Sequence, residues 1–121
     1  MMQRYRDLKL WQRSHAVVLQ TYRLTASFPA EERYGIVSQL RRASVSVPTN
    51  IAEGSKRKSK ADFAHLLNVA EGSLAETGYL VCLSGDLGYI ANDTVKAMLA
   101  EIDEVARMLH TLRGKVESED R

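Results

Sequence analysis

A single cysteine, Cys82, is all the thiol this chain of 121 residues possesses. It excludes an internal disulfide, and with it a disulfide-stapled secreted scaffold. It also excludes a structural zinc site built from several thiolates. No run of about 18 apolar residues occurs, so nothing reads as a membrane span. The opening Met1-Met2-Gln3-Arg4-Tyr5-Arg6 carries charge with no apolar stretch behind it and does not read as a signal peptide. A cytoplasmic protein is the expectation, and the sequon Asn92-Asp93-Thr94 is read as chance. Glycine-rich phosphate loops are absent. The three histidines, His15, His65 and His110, have no i, i+4 pair for a helical metal site. Asp62-x-x-His65 resembles half of a bundle di-metal motif, but no second acid-x-x-His accompanies it. Cys82 stands among Leu80, Val81 and Leu83 and reads as an inert buried thiol. The expectation is therefore a protein without catalytic residues, metal or cofactor.

What is present is charge separated along the chain. Residues 1–60 hold 12 basic and 4 acidic side chains, while residues 61–121 hold 5 and 11. The net +2 thus conceals +8 followed by −6. A basic first half is a candidate for anionic partners.

The periodicity predicts four helices in a single domain spanning residues 1–121, with about 1–6 and 117–121 frayed. The first runs from about Asp7, its expected N-cap, to Ser27. Leu8, Trp11, His15, Val18, Tyr22 and Thr25 follow the helical seam spacing, and Leu10, Val17 and Leu24 form a second stripe beside it. Two stripes are more apolar surface than one neighbour covers. Phe28-Pro29 ends this helix, because a residue before proline avoids the α region. The second is expected from about Glu31 to Ser55, with Glu31 and Glu32 at the positive end of the helix dipole. Ile36, Leu40, Ala43, Val47 and Ile51 form its apolar side. Pro48 removes the amide that would bond Ser44, so a kink is expected there. The β-branched run from Val45 to Thr49 would make only a lone, unpaired strand.

Gly54 reads as a C-terminal cap, and Ser59-Lys60-Ala61-Asp62 as the start of a third helix that reaches about Gly85 or Leu87. Its seam is Phe63, Leu67, Ala70, Leu74, Thr77, Val81 and Ser84, and Gly72 and Gly78 suggest close helix approach. Gly88 is a stop. Asn92 is expected to cap a fourth helix whose Val95, Met98, Ile102, Val105, Leu109, Leu112 and Val116 keep an unbroken heptad seam. Four such helices with short connections predict an all-α, antiparallel up-down-up-down four-helix bundle, the second helix kinked at Pro48.

Two polar groups on the second helix stand out. Gln39, Arg42, Ser46, Asn50 and Glu53 share one face. They read either as a ligand surface or, preferably, as a structural hydrogen-bond network in which Arg42 reaches Glu53 or Glu76. The second group is basic: Arg41, Arg42, Lys56, Arg57, Lys58 and Lys60. These are the candidate phosphate contacts, each contributing through counterion release. No aromatic is interleaved in the Lys56–Lys60 cluster, so backbone-directed binding without base readout is expected there.

The segments Phe28-Pro29, Glu32-Arg33-Tyr34-Gly35, Ser38-Gln39-Leu40-Arg41-Arg42-Ala43, Ser46-Val47-Pro48-Thr49-Asn50-Ile51-Ala52-Glu53-Gly54 and Ala70-Glu71-Gly72-Ser73-Leu74-Ala75-Glu76, with the opening Leu8-x-x-Trp11-Gln12, closely resemble the four helix bundle protein family. Its founding members are encoded in intervening sequences of 23S ribosomal RNA genes. The resemblance implies a bundle that assembles into a homopentamer. It also implies kinship with accessory variability proteins of diversity-generating retroelements, basic pentamers that bind nucleic acid and a reverse transcriptase. Glu71 departs from the basic or neutral residue usual at its place. The resulting expectation is a non-enzymatic, self-assembling bundle that binds RNA or DNA backbone. Its partners would be copies of itself, nucleic acid, and a reverse transcriptase or other protein. The alternative is a protein–protein scaffold with no nucleic-acid role, in which the basic half of one protomer faces the acidic half of the next.

Overall fold

The computed structural model describes residues 4–120. They contain four α-helices, α1 (Lys9–Thr25), α2 (Ile36–Ser55), α3 (Lys60–Asp86) and α4 (Asn92–Glu119), with short 3-10 turns at Tyr5–Asp7 and Ala30–Glu32. No strand occurs among the described residues. The run from Val45 to Thr49 is helical, and α2 continues unbroken through Pro48. The expected parts of the frayed ends at 1–3 and 121 lie outside the described residues. Within them, α4 stays helical through Gly114 to Glu119.

Side-chain pairs fix an antiparallel, up-down-up-down order. Between α1 and α2, Arg41 donates to Thr25 Oγ1 at 2.9 Å. Between α2 and α3 the hydroxyls of Ser46 and Ser73 lie 2.8 Å apart. Between α3 and α4, Lys60 meets Glu119 at 2.9 Å, and between α1 and α4, Arg13 meets Glu101 at 2.9 Å. The apolar faces expected of α2, α3 and α4 form the core: Leu40, Val47, Ile51, Leu67, Ala70, Leu74, Val81, Val105 and Leu109 are at most 2% exposed.

Helix α1 differs from the expectation. Val18 and Thr25 of the expected seam and Leu10 and Val17 of the second stripe are buried, but Ser14 and Thr21, which neither stripe contained, are buried with them. Trp11 is half-buried, while His15 and Tyr22 are exposed. The core line contains three hydroxyl residues, which hydropathy does not count as core. Each is satisfied locally: Ser14, Thr21 and Thr25 donate to the carbonyls of Leu10, Val17 and Thr21 at 2.7–2.8 Å. This back-bonding lets a hydroxyl enter the core without an unpaired polar atom.

The helix ends also shift. Leu8, not Asp7, precedes α1, and Ala91, not Asn92, precedes α4. Helix α2 starts at Ile36 rather than Glu31, because the chain first makes a 3-10 turn and passes Gly35. Glu32 still serves the helix start, its carboxylate accepting from the Ile36 amide at 3.5 Å. The same carboxylate accepts from the Tyr89 hydroxyl at 2.8 Å, which raises the Tyr89 pKa because ionisation would set two anions together. Ser59 caps α3 as predicted, accepting from the Asp62 amide at 3.0 Å. Gly88 ends the α3 turn with φ +81°, a conformation glycine adopts without penalty.

Glycine placement corrects the sequence reading. Gly72 has open space beside it, and a Cβ at Gly78 would meet only ordinary contacts. Close approach occurs at Gly54 and Gly85, where a Cβ would lie 2.8 Å from the Phe63 ring and 2.7 Å from Val95 Cγ2. Gly54 is therefore no cap: it sits inside the last turn of α2, and Lys56 follows the helix end. Two Gly→Ala substitutions should then act oppositely. Gly72→Ala should stabilise by up to about 1 kcal/mol. Gly54→Ala should destabilise by about 1–3 kcal/mol through overpacking against Phe63. Urea unfolding midpoints measured side by side check the pair.

Candidate nucleic-acid interface

The basic residues singled out in the sequence separate into two places. Helix α2 ends at Ser55, Ser59 restarts the chain as a cap, and Lys56, Arg57 and Lys58 project between them at one end of the bundle. All three are exposed, as is Lys60 at the start of α3. Arg41 and Arg42 lie 14 to 15 residues upstream of Lys56 on α2, on the order of 20 Å away along the helix. The six do not form one patch.

Their partners divide them further. Arg57 lies 3.9 Å from the Glu53 carboxylate, and Lys60 lies 2.9 Å from Glu119. The four side chains are 45–55% exposed, so both pairs are weak and compete poorly with a phosphate. Lys60 holds the Glu119 carboxyl below its ordinary range. Among the described residues, Lys56, Lys58 and Arg42 have no carboxylate within 4 Å. Arg41 is committed to α1: its guanidinium lies 4.5 Å over the Tyr22 ring and donates to Thr25.

The polar stripe forms a groove of about 280 Å³ between α2 and α3, lined by Gln39, Arg42, Ala43, Ser46, Ser73 and Glu76. Its centre is tied without charge. Asn50 Nδ2 donates to the Ser46 carbonyl at 2.7 Å and to its hydroxyl at 3.0 Å, and that hydroxyl meets Ser73. Neither Glu53 nor Glu76 lies within 4 Å of Arg42 as an ion pair; Glu53 faces Arg57 instead. Gln39, Arg42 and Glu76 remain on the exposed rim.

The strongest ion pairs escape the sequence, because they join helices whose register only the fold supplies. Arg13 is bidentate to Glu101. Arg113 bonds both Glu71 and Glu117, and these carboxylates raise its pKa against the opposing effect of burial. The unusual Glu71 thus serves α3–α4 packing. A second feature beyond the sequence reading is an apolar groove of about 400 Å³ on the outside of α1 and α2. Trp11, His15, Val18, Val45 and Pro48 line it. The Trp11 and His15 rings stack with centroids 5.0 Å apart, and nearby Leu19 and Tyr22 are 44% and 43% exposed. No cluster of three or more metal-ligating side chains forms among the described residues. Cys82 is free and half-buried. No helix among them is long and apolar enough to cross a membrane.

The family model described as 23S rRNA-intervening sequence protein matches residues 6–111. A similar solved structure is a crystal structure of a protein of unknown function from the S23 ribosomal protein family of Bacteroides thetaiotaomicron. It is 23% identical, with a TM-score of 0.80, over 87% of this chain and 95% of that one. At that identity the likeness bears on the fold. No curated protein matches the chain.

The Lys60–Glu119 tie gives a pH test. A carboxyl held below its unfolded value adds stability above that value, and the gain disappears as pH falls through the folded pKa. Glu119 should titrate below the ordinary carboxylate range by carbon-detected NMR and return toward 4.5 in Lys60→Ala.

Proposed function

The chain belongs to the 23S rRNA-intervening sequence protein family, and we propose that it works as a non-enzymatic, self-assembling subunit that binds nucleic-acid backbone through the basic end of the bundle. The observation that carries the nucleic-acid reading is the state of the cations at the α2–α3 turn. Lys56 and Lys58 are exposed with no carboxylate within 4 Å among the described residues, and Arg57 and Lys60 have only exposed, weakly held partners. A phosphate chain gains these contacts at little cost in broken ion pairs. The turn offers no aromatic ring and no carboxylate–amide pattern for base edges, so binding follows the backbone and not the sequence. RNA and DNA are both suitable ligands.

The self-assembly reading rests on a different face. Leu19, Tyr22 and Val45 are exposed around the α1–α2 groove, and charged side chains are sparse within it. Apolar surface of this kind is stabilised by a second protein surface. A homopentamer is the state implied by the family resemblance. In a ring the contact is heterologous, so each copy must present a different face to each neighbour. The acidic second half of one copy then suits the basic first half of the next. That charge arrangement supports the alternative, a protein–protein scaffold that binds no nucleic acid; a reverse transcriptase or another protein would be its further partner.

Binding of nonspecific single-stranded RNA across a salt series decides the first reading. A steep negative log–log slope is expected, and replacing Lys56, Arg57, Lys58 and Lys60 together with Ala should reduce its magnitude by about 2–3. A flat slope or absence of binding near physiological salt leaves the scaffold. For assembly, Leu19→Glu and Val45→Glu should each lower the mass measured by light scattering toward one subunit, with helical circular dichroism retained. An unchanged mass would remove the α1–α2 face from assembly.

A further inference from the structure

Helix α1 is tied to α4 by one polar clasp. Arg13 donates from Nε and Nη2 to the two oxygens of Glu101, each at 2.9 Å, and approaches the Glu104 carboxylate at 3.8 Å and the Met108 sulfur at 3.9 Å. Between this clasp and the start of α1, the helices leave a groove of about 460 Å³, within the range of small-molecule sites. Leu8, Leu10, Met108 and Leu112 line it, and Lys9 and Lys115 stand on its rim. Both lysines are exposed and have no carboxylate within 4 Å among the described residues. Its one carboxylate, Glu104, is already held by Arg107 and Arg13, and Arg107 keeps the Glu104 carboxyl below its ordinary range. Lys9 is also the first residue of α1, and no side chain caps that helix start. The first-turn amides therefore add positive potential beside it. The groove's lining is mainly apolar, with two unpaired lysines and an already neutralised carboxylate among it.

We propose that this groove binds a free single-chain anionic amphiphile, a linear alkyl chain ending in a carboxylate. The tail lies along Leu10, Leu112 and Met108 toward the Arg13 clasp. The carboxylate sits between Lys9 and Lys115 at the start of α1. Charge selects this occupant. An ammonium head would face two lysines, and an uncharged head would forgo the charge-assisted hydrogen bonds. This site is independent of the nucleic-acid reading and lies on a different seam from the α1–α2 face.

The four methionines provide the probe. The full chain, labelled at methionine methyl carbons with Met108 assigned through Met108→Leu, is titrated below micelle concentration with dodecanoate, dodecylammonium or dodecyl maltoside. Met98 lines a separate groove beyond the clasp and serves as the internal reference. Saturable binding of one dodecanoate per chain is expected, shifting Met108 and not Met98, with the other two amphiphiles at least about tenfold weaker. Lys9→Gln with Lys115→Gln should weaken dodecanoate by about tenfold or more, while Lys9→Arg with Lys115→Arg retains it. Equal affinity for the three head groups would overturn the proposal, as would an unmoved Met108 or capture by anionic phospholipid vesicles without dodecanoate binding. If the Gln pair instead changes the oligomeric mass, the rim is an interface between copies and the proposal fails.

Discussion

The architecture depends on how closely α2 and α3 can lie. At their connected end Gly54 leaves room for the Phe63 ring where a Cβ would stand 2.8 Å away. Two turns up α2, the Ser46 and Ser73 hydroxyls meet directly, a contact that short side chains permit and longer ones would block. At the far end Tyr89, just past α3, donates to Glu32, just before α2, and packs on Phe28 with ring centroids 5.2 Å apart. These three points set an antiparallel register along the full length of both helices. With the register fixed and α2 ending in a tight turn, residues 56–58 have no surface to fold back upon. Their exposure follows from the Gly54–Phe63 contact as much as from their own charge.

That hairpin was legible in outline from the sequence, and so were the elements that bury simple aliphatic stripes. The buried faces of α2, α3 and α4 are mostly Leu, Ile, Val and Ala at regular spacing, with Ser44, Thr77 and Ser84 among them. On α1 the apolar stripes miss Ser14 and Thr21, which are buried beside Val18 and Thr25 of the expected seam. A hydroxyl that bonds the carbonyl one turn back enters the core as a small, satisfied group, and no hydropathy scale anticipates that. Trp11 packs against the core and also lines an outer groove, whereas His15 and Tyr22 of the expected seam are exposed. The glycines were misjudged for a related reason. Sequence shows that Gly54, Gly72 and Gly85 lack side chains, but only packing shows which of them faces a neighbouring residue.

The candidate interface was half legible. The Lys56–Lys60 cluster is compact in sequence, and a turn keeps it compact in space. Arg41 and Arg42 were joined to it by sequence proximity alone, and 14 helical residues separate them from the turn. Arg41 is further removed by the Tyr22 ring and Thr25, partners on another helix that no local pattern reveals. The same limit hid the Arg13–Glu101 and Arg113–Glu71 pairs. In the polar stripe, Asn50 donates to Ser46 and the Ser46 hydroxyl meets Ser73, so Arg42 is left on the rim.

The charge split along the chain takes its meaning from these pairings. Arg113 bonds Glu71 within the acidic half, so that half neutralises its own interior. Across the halves, Arg13 with Glu101 and Lys60 with Glu119 join the first helix and the basic turn to α4. Few of the first-half cations are consumed in this way, and the acids on the exposed faces of α3 and α4 stay in solvent. The bundle therefore keeps separate basic and acidic sides. Helix α1, held chiefly by α2 and only sparsely by α4, stands between them with an apolar seam on either flank. One flank is aromatic and open; the other is split by the Arg13 clasp. A helix so placed closes the core with one face and shapes what the bundle presents outward with the rest. The first helix, whose buried line was hardest to read from sequence, is thus also the helix whose exposed residues shape the surfaces available to partners.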